Sequence, residues 1–207
     1  MNTNARTGII VLVVIVVIAA FIWATKHDSS STVVVTPTPV TNTTVYKGTG
    51  FSITLPNGTD ASTSYKVDEN YTYTAFGPGK DISGVKFIIP ASRAAGTNLS
   101  TDSYISVEKI PNSTTCSASL FLDQGTSATV SDSGVTYSMG STNGAAAGNR
   151  YEETVYALPG TNPCIAVRYF VHYGVFENYP AGSITEFNRS ALLSSFDAIR
   201  RTLVVNQ

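Results

Sequence analysis

Residues 151–173, YEETVYALPGTNPCIAVRYFVHY, hold two runs rich in strand-forming side chains around the break Pro159-Gly160-Thr161-Asn162-Pro163. Such runs separated by Pro, Gly and Asn predict a β-hairpin, with 151–158 paired to 164–173. Alternation along the second strand puts Ile165, Val167, Tyr169, Val171 and Tyr173 on one face and Ala166, Arg168, Phe170 and His172 on the other. Both faces are partly apolar, so this strand is expected in the middle of a sheet covered on both sides.

The same alternation recurs toward the N-terminus. Phe51, Ile53 and Leu55 run into Pro56-Asn57-Gly58; Tyr71, Tyr73 and Ala75 into Gly77-Pro78-Gly79; Val85, Phe87 and Ile89 into Pro90. Residues 91–102 read as a loop, 104–110 as a strand stopped by Pro111, and 113–122 as one short helix carrying Cys116. Val135, Tyr137 and Met139 give a further strand, with Asn143-Gly144 as its turn. Beyond the hairpin, Leu192, Phe196, Ile199 and Leu203 recur at helical spacing behind Asn188, a suitable N-cap. Arg200 and Arg201 then read as solvated charges that complement the negative end of the helix dipole.

Ahead of these elements lies an apolar run, Gly8 to Ala24 (GIIVLVVIVVIAAFIWA), inside nineteen uncharged residues between Arg6 and Lys26. As a helix these reach about 28 Å, close to the roughly 30 Å hydrocarbon core of a bilayer. The chain is therefore read as a cytoplasmic tail (1–7), a transmembrane anchor (8–25), a Ser/Thr/Pro-rich stalk (26–44) and one extracytoplasmic domain (45–207). The expected location is a cell membrane, single-pass, with the bulk of the chain periplasmic or extracellular. The alternative is a cleaved signal peptide, although those apolar regions are shorter and Ile18 and Ile22 stand where a small residue is wanted.

Charged residues make up only 13% of the chain, against about 25% in an average soluble protein, so hydroxyls and amides must supply surface polarity. Net charge is −1 with no basic cluster, which argues against a nucleic-acid partner. The two cysteines, Cys116 and Cys164, most simply form a disulfide in an oxidising compartment; two buried thiols are the alternative. They lack zinc-ligand spacing.

His172 is the only histidine in the domain. No nucleophile elbow, phosphate loop, dinucleotide fingerprint or His-Glu-x-x-His helix is present. Glu152 and Glu153 are strand neighbours and point to opposite faces, so they cannot flank one substrate. No catalytic, metal or cofactor-binding residue, and no cofactor, is assigned. In the hairpin a Glu lies near Arg168 in either register: Glu152 with Arg150 and His172 on that face if the register is even, Glu153 in place of Glu152 if odd. That pair reads as a cross-strand ion pair worth roughly 0.2–1 kcal/mol, or as part of a polar binding spot made by Arg150, Arg168 and His172. Phe176 and Tyr179, in the loop 175–182 (VFENYPAG), are the candidate aromatic contacts.

Tyr46, then Gly50-Phe51-Ser52-Ile53-Thr54-Leu55-Pro56, and Phe196-Asp197-Ala198-Ile199 in the closing helix resemble the PsbP-like domain over about residues 44–203. The resemblance implies an α+β fold, an α/β/α sandwich of antiparallel sheet with helices packed on its faces. It also implies an accessory or binding role, since the plant members are extrinsic subunits of a membrane complex. The family's metal-binding histidines do not carry over to a domain whose one histidine is His172. The function expected is that of a non-enzymatic, membrane-tethered accessory or binding domain with an envelope protein partner. The alternative is an envelope enzyme acting on a small ligand or polysaccharide near Arg168 and His172.

Overall fold

The computed structural model describes residues 42–66, 82–122 and 126–206. The anchor, the tail, most of the stalk and the strand read at Tyr71–Ala75 lie outside them. Ten strands occur among the described residues: β1 (Thr43–Gly48), β2 (Phe51–Pro56), β3 (Asp60–Lys66), β4 (Ser83–Ile88), β5 (Tyr104–Ile110), β6 (Thr126–Asp132), β7 (Val135–Ala146), β8 (Asn149–Ala157), β9 (Cys164–Gly174) and β10 (Val204–Val205). Two α-helices accompany them, α1 (Ala91–Ala94) and α2 (Arg189–Arg200), with 3₁₀ turns at Ala118–Leu120 and Phe176–Asn178.

The large sheet has the order β3-β4-β5-β9-β8-β7-β6, and a small sheet the order β1-β2-β10. Every pairing is antiparallel. Two meanders, β3-β4-β5 and β6-β7-β8-β9, meet along the single seam β5–β9, where Ile105 faces Tyr169 and Val107 faces Val167. β9 is thus the middle strand, with three strands on either side.

One face of the large sheet is covered by α2 and the small sheet together. Phe87, Ile105, Val107, Ile165, Val167, Tyr169 and Val171 share a buried cluster with Phe51, Ile53 and Leu55 of β2 and Leu192, Phe196 and Ile199 of α2. Each of these helix side chains contributes about 1.5–3 kcal/mol on burial. Asn188 caps α2, its Oδ1 accepting from the Ala191 amide at 2.9 Å. The opposite face is covered at one end by the crossover from β5 to β6, where Cys116, Ala118, Phe121 and Leu122 pack on Ile110, Val155, Ala157 and Ala166. The disulfide Cys116–Cys164 spans a sequence separation of 48 and fastens this crossover to the start of β9.

The α/β/α sandwich expected from the PsbP-like resemblance is therefore corrected. The architecture is almost wholly antiparallel β, and its two α-helices are short. The described chain offers one amphipathic helix of any length, enough for part of one face; a non-helical crossover packs on the other. The helix expected over 113–122 reduces to the three-residue turn Ala118–Leu120, with Cys116 ahead of it. Asn143-Gly144 does not turn the chain: β7 continues to Ala146, and the reversal falls at Ala147 and Gly148, with φ of 48° and 79°. A two-residue hairpin of the type I′ kind has positive φ at both central positions, and here the long β7–β8 register fixes where they fall.

Candidate functional site

β8 pairs with β9 so that Val155 faces Arg168 and Tyr151 faces His172. This odd register divides the polar candidates. Arg168 and His172 project from one face with Glu153, whereas Arg150 and Glu152 lie on the other.

Arg168 is fully buried. Its Nε and Nη2 donate to Glu108 Oε1 and Oε2 at 2.8 and 3.0 Å, a two-pronged pair, and Nη2 also donates to the Phe121 carbonyl at 2.7 Å. Nη1 pairs with Glu153, and Ser106 donates to Glu108 at 3.0 Å. Burial opposes the Arg168 charge, yet Glu108 and then Glu153 raise its pKa above the ordinary value. For Glu153 burial outweighs the pull of Arg168 and pushes the carboxyl up. The cross-strand pair read from the sequence is present as Arg168 with Glu153, the guanidinium is fully buried, and its principal acceptor is Glu108 on the other neighbouring strand. The sequence carried a signal for it: a charged residue within the strand YISVEKI must find a partner if the strand is covered on both sides.

Toward the other end of the same face, side chains stack in a row. Lys86 Nζ lies 4.5 Å from the Tyr104 ring centroid, Tyr104 stacks on Phe170 at 4.9 Å, and Tyr151 stacks on His172 at 4.5 Å. Burial lowers the Lys86 pKa and raises that of Tyr104. The His172 ring joins three segments: Nδ1 meets Asp102 at 2.8 Å, Nε2 meets Asn149 Oδ1 at 3.1 Å, and the ring lies on Tyr151. Asp102 comes from the turn ahead of β5 and Asn149 from the first position of β8, and periodicity gave no sign of either.

On the α2 face, Glu152 accepts from Tyr173 Oη at 2.9 Å and from Arg189 Nε at 2.8 Å. Arg150 is exposed and donates to the Asn149 carbonyl at 3.3 Å. Arg200 corrects an expectation: it is buried rather than solvated. Its guanidinium lies 4.2 Å from the Tyr156 centroid and 4.6 Å from that of Tyr137; Nε donates to Tyr169 Oη at 2.7 Å, and Nη2 pairs with Asp132 and with Asp197. Leu192, Phe196 and Arg200 repeat at intervals of four, so the last turn carries the buried stripe onward to the arginine. The hydrogen bonds from Arg201 and Arg200 hold the Asp132 carboxyl down to about 2, and this fastens the β6–β7 turn to the end of α2.

The loop after β9 presents Phe176 and Tyr179, each 39% exposed. Val175 N donates to the Gly148 carbonyl at 2.8 Å and Asn178 Nδ2 to the same oxygen at 3.4 Å, so the loop is docked on the β7–β8 turn. Residues 143–148 of that hairpin end are exposed and small. A separate cleft of about 370 Å³ beside the disulfide is lined by hydroxyls and amides, among them Asn112, Thr114, Thr115, Thr161 and Asn162. Among the described residues no group of three or more His, Cys, Asp or Glu is placed to hold a metal ion, and no helix is long and apolar enough to cross a membrane.

The fold and its exposed end define a disulfide-closed antiparallel β domain with an aromatic loop docked on a hairpin turn. Comparison of the chain with protein-family models, with curated proteins and with solved structures finds no match.

Proposed function

We propose that this protein is a membrane-tethered, extracytoplasmic accessory or binding domain of a cell envelope, without catalytic activity, that engages a protein partner through the loop 175–182. The observation that carries the reading is the pair Phe176 and Tyr179, large aromatic side chains left partly exposed on a loop whose backbone is fixed to the neighbouring hairpin and whose Tyr179 ring rests on Gly174. Aromatics presented on a rigid support bind with little loss of conformational freedom, and such residues dominate the energetics of interface centres. The small side chains of residues 144–147 beside them leave room for a partner to approach. The uncharged run between Arg6 and Lys26 supports the tether.

Crosslinking of the full chain in its native membrane, with adducts identified by mass spectrometry, tests this reading. A discrete protein adduct is expected with the wild type and is lost in Phe176→Ser/Tyr179→Ser at unchanged melting temperature. An identical adduct pattern in the variant refutes the assignment to this loop. Detergent partitioning and intact mass test the tether: a chain that partitions into the aqueous phase, lacking the mass of residues 1–24, refutes it.

A further inference from the structure

The four outer strands of the two sheets differ in how they are protected. An exposed strand edge invites pairing with another chain, and proteins blunt it with charges, bulges or brevity. β3 has a break in register between Ser62 and Tyr65, β10 has only two residues, and β1 carries Lys47. β6 has none of these devices. Its seven residues, TSATVSD, keep an unbroken register with β7 from Thr126↔Ser141 to Asp132↔Val135, and their only charge, Asp132, is engaged by Arg200 and Arg201. Among the described residues β6 pairs with β7 alone.

The two-residue turn Ser133-Gly134, with φ of 51° and 81°, makes Asp132 and Val135 a hydrogen-bonded pair. Alternation then directs the backbone groups of Val130 and Ala128 to β7 and those of Ser127, Thr129 and Ser131 outward. These three outward residues are symmetric about Thr129. Two copies of β6 placed antiparallel with Thr129 opposite Thr129 pair Ser127 with Ser131 on either side, so each outward N–H and C=O of all three finds a partner. On one face this register sets hydroxyl against hydroxyl, on the other Ala128 against Val130. Asp132 falls opposite Thr126, so no like charges meet.

We propose that β6 is a homotypic interaction edge at which a second copy of this chain adds across a two-fold axis at Thr129, joining the two large sheets into one. The inference stands independently of the Phe176 and Tyr179 loop. An isologous contact requires a self-complementary patch, and the symmetry of Ser127, Thr129 and Ser131 favours a second copy over an unrelated strand.

Single cysteines placed in the full chain in its membrane and oxidised mildly read the register directly. Opposed residues across such a pair stand about 5.5 Å apart between Cα atoms, within disulfide range. Thr129→Cys is expected to give a covalent dimer as the main product, Ser127→Cys or Ser131→Cys alone little, and the two mixed a heterodimer. Thr129→Pro removes an outward donor and no bond to β7, and added to both Ser127→Cys and Ser131→Cys is expected to abolish their heterodimer. Dimer from Thr129→Cys no greater than from Val45→Cys on β1 overturns the proposal, as does equal crosslinking by Ser127→Cys alone. A Thr129→Cys adduct to a different protein overturns it too.

Discussion

Replacing Arg168 by Met removes a charge while keeping a long apolar stem in the sheet. In the native domain Glu108 is fully buried and takes both prongs of the guanidinium, and Glu153 is mostly buried beside it. The substitution leaves Glu108 in low dielectric without the cation that answers it, and breaking a buried pair from one side costs about 3–5 kcal/mol. For a domain of this size each kcal/mol lowers Tm by roughly 2–4 °C, so the expected fall is about 6–20 °C. Urea unfolding followed by tryptophan-independent circular dichroism, together with calorimetry, measures it. The triple variant Arg168→Met/Glu108→Met/Glu153→Leu removes all three charges together and is expected to recover most of the loss, because apolar replacement of an enclosed ion group is often neutral or stabilising. A fall below about 1 kcal/mol in Arg168→Met, or a triple variant no better than the single, refutes the account of an enclosed charge group.

Other perturbations address separate parts of the molecule. Cys116→Ala/Cys164→Ala opens a loop of sequence separation 48 and is expected to cost about 4 kcal/mol on the chain-entropy relation, read as a lowered urea midpoint with a steeper slope, since the denatured chain expands. Asp132 has a depressed pKa, so its contribution is present above the ordinary carboxylate value of 3.8 and is lost as pH falls toward about 2. Asp132→Asn should therefore lower the urea midpoint at pH 6, and the gap to wild type should close by pH 2. Ala147 adopts a φ of 48°; Ala147→Asn, a residue that tolerates this region, is expected to raise stability by up to about 1 kcal/mol in the same assay.

Much of the sheet was legible because its strands alternate and stop at recognisable residues. Residues 104–110 ended at Pro111 as read, the hairpin around Pro159–Pro163 formed, and Asn188 caps the helix. β6 was missed because TSATVSD has only two apolar side chains, Ala128 and Val130, and an edge strand has too little buried surface to print a stronger period on the sequence. β1 was assigned in part to the stalk, since TTVYKG is exposed along most of its length. The turn assigned to Asn143-Gly144 shows a strong local signal overridden by pairing, for nine consecutive residue pairs join β7 to β8 up to Ala146↔Asn149. At the candidate site, the sequence placed a glutamate beside Arg168 but not Glu108, whose partner lies 60 residues away. Contacts of that range depend on which strands become neighbours, and alternation is silent about that.

The seam between β5 and β9 also governs how the chain finds its fold. Each meander is assembled from contacts between consecutive strands, so its two halves can form by local zippering. Joining them requires Ile110 to meet Cys164 across the whole intervening chain, and that search carries the largest loop-closure entropy in the large sheet. The Cys116–Cys164 bond brings the same two segments within 5.0 Å between Cα atoms, beside the last pair of the seam. Once oxidised, the chain holds the register point from which β5 and β9 can zip toward Tyr104 and Phe170. A chain emerging into an oxidising space therefore faces a search over a short tethered distance, and a reduced chain faces the full one.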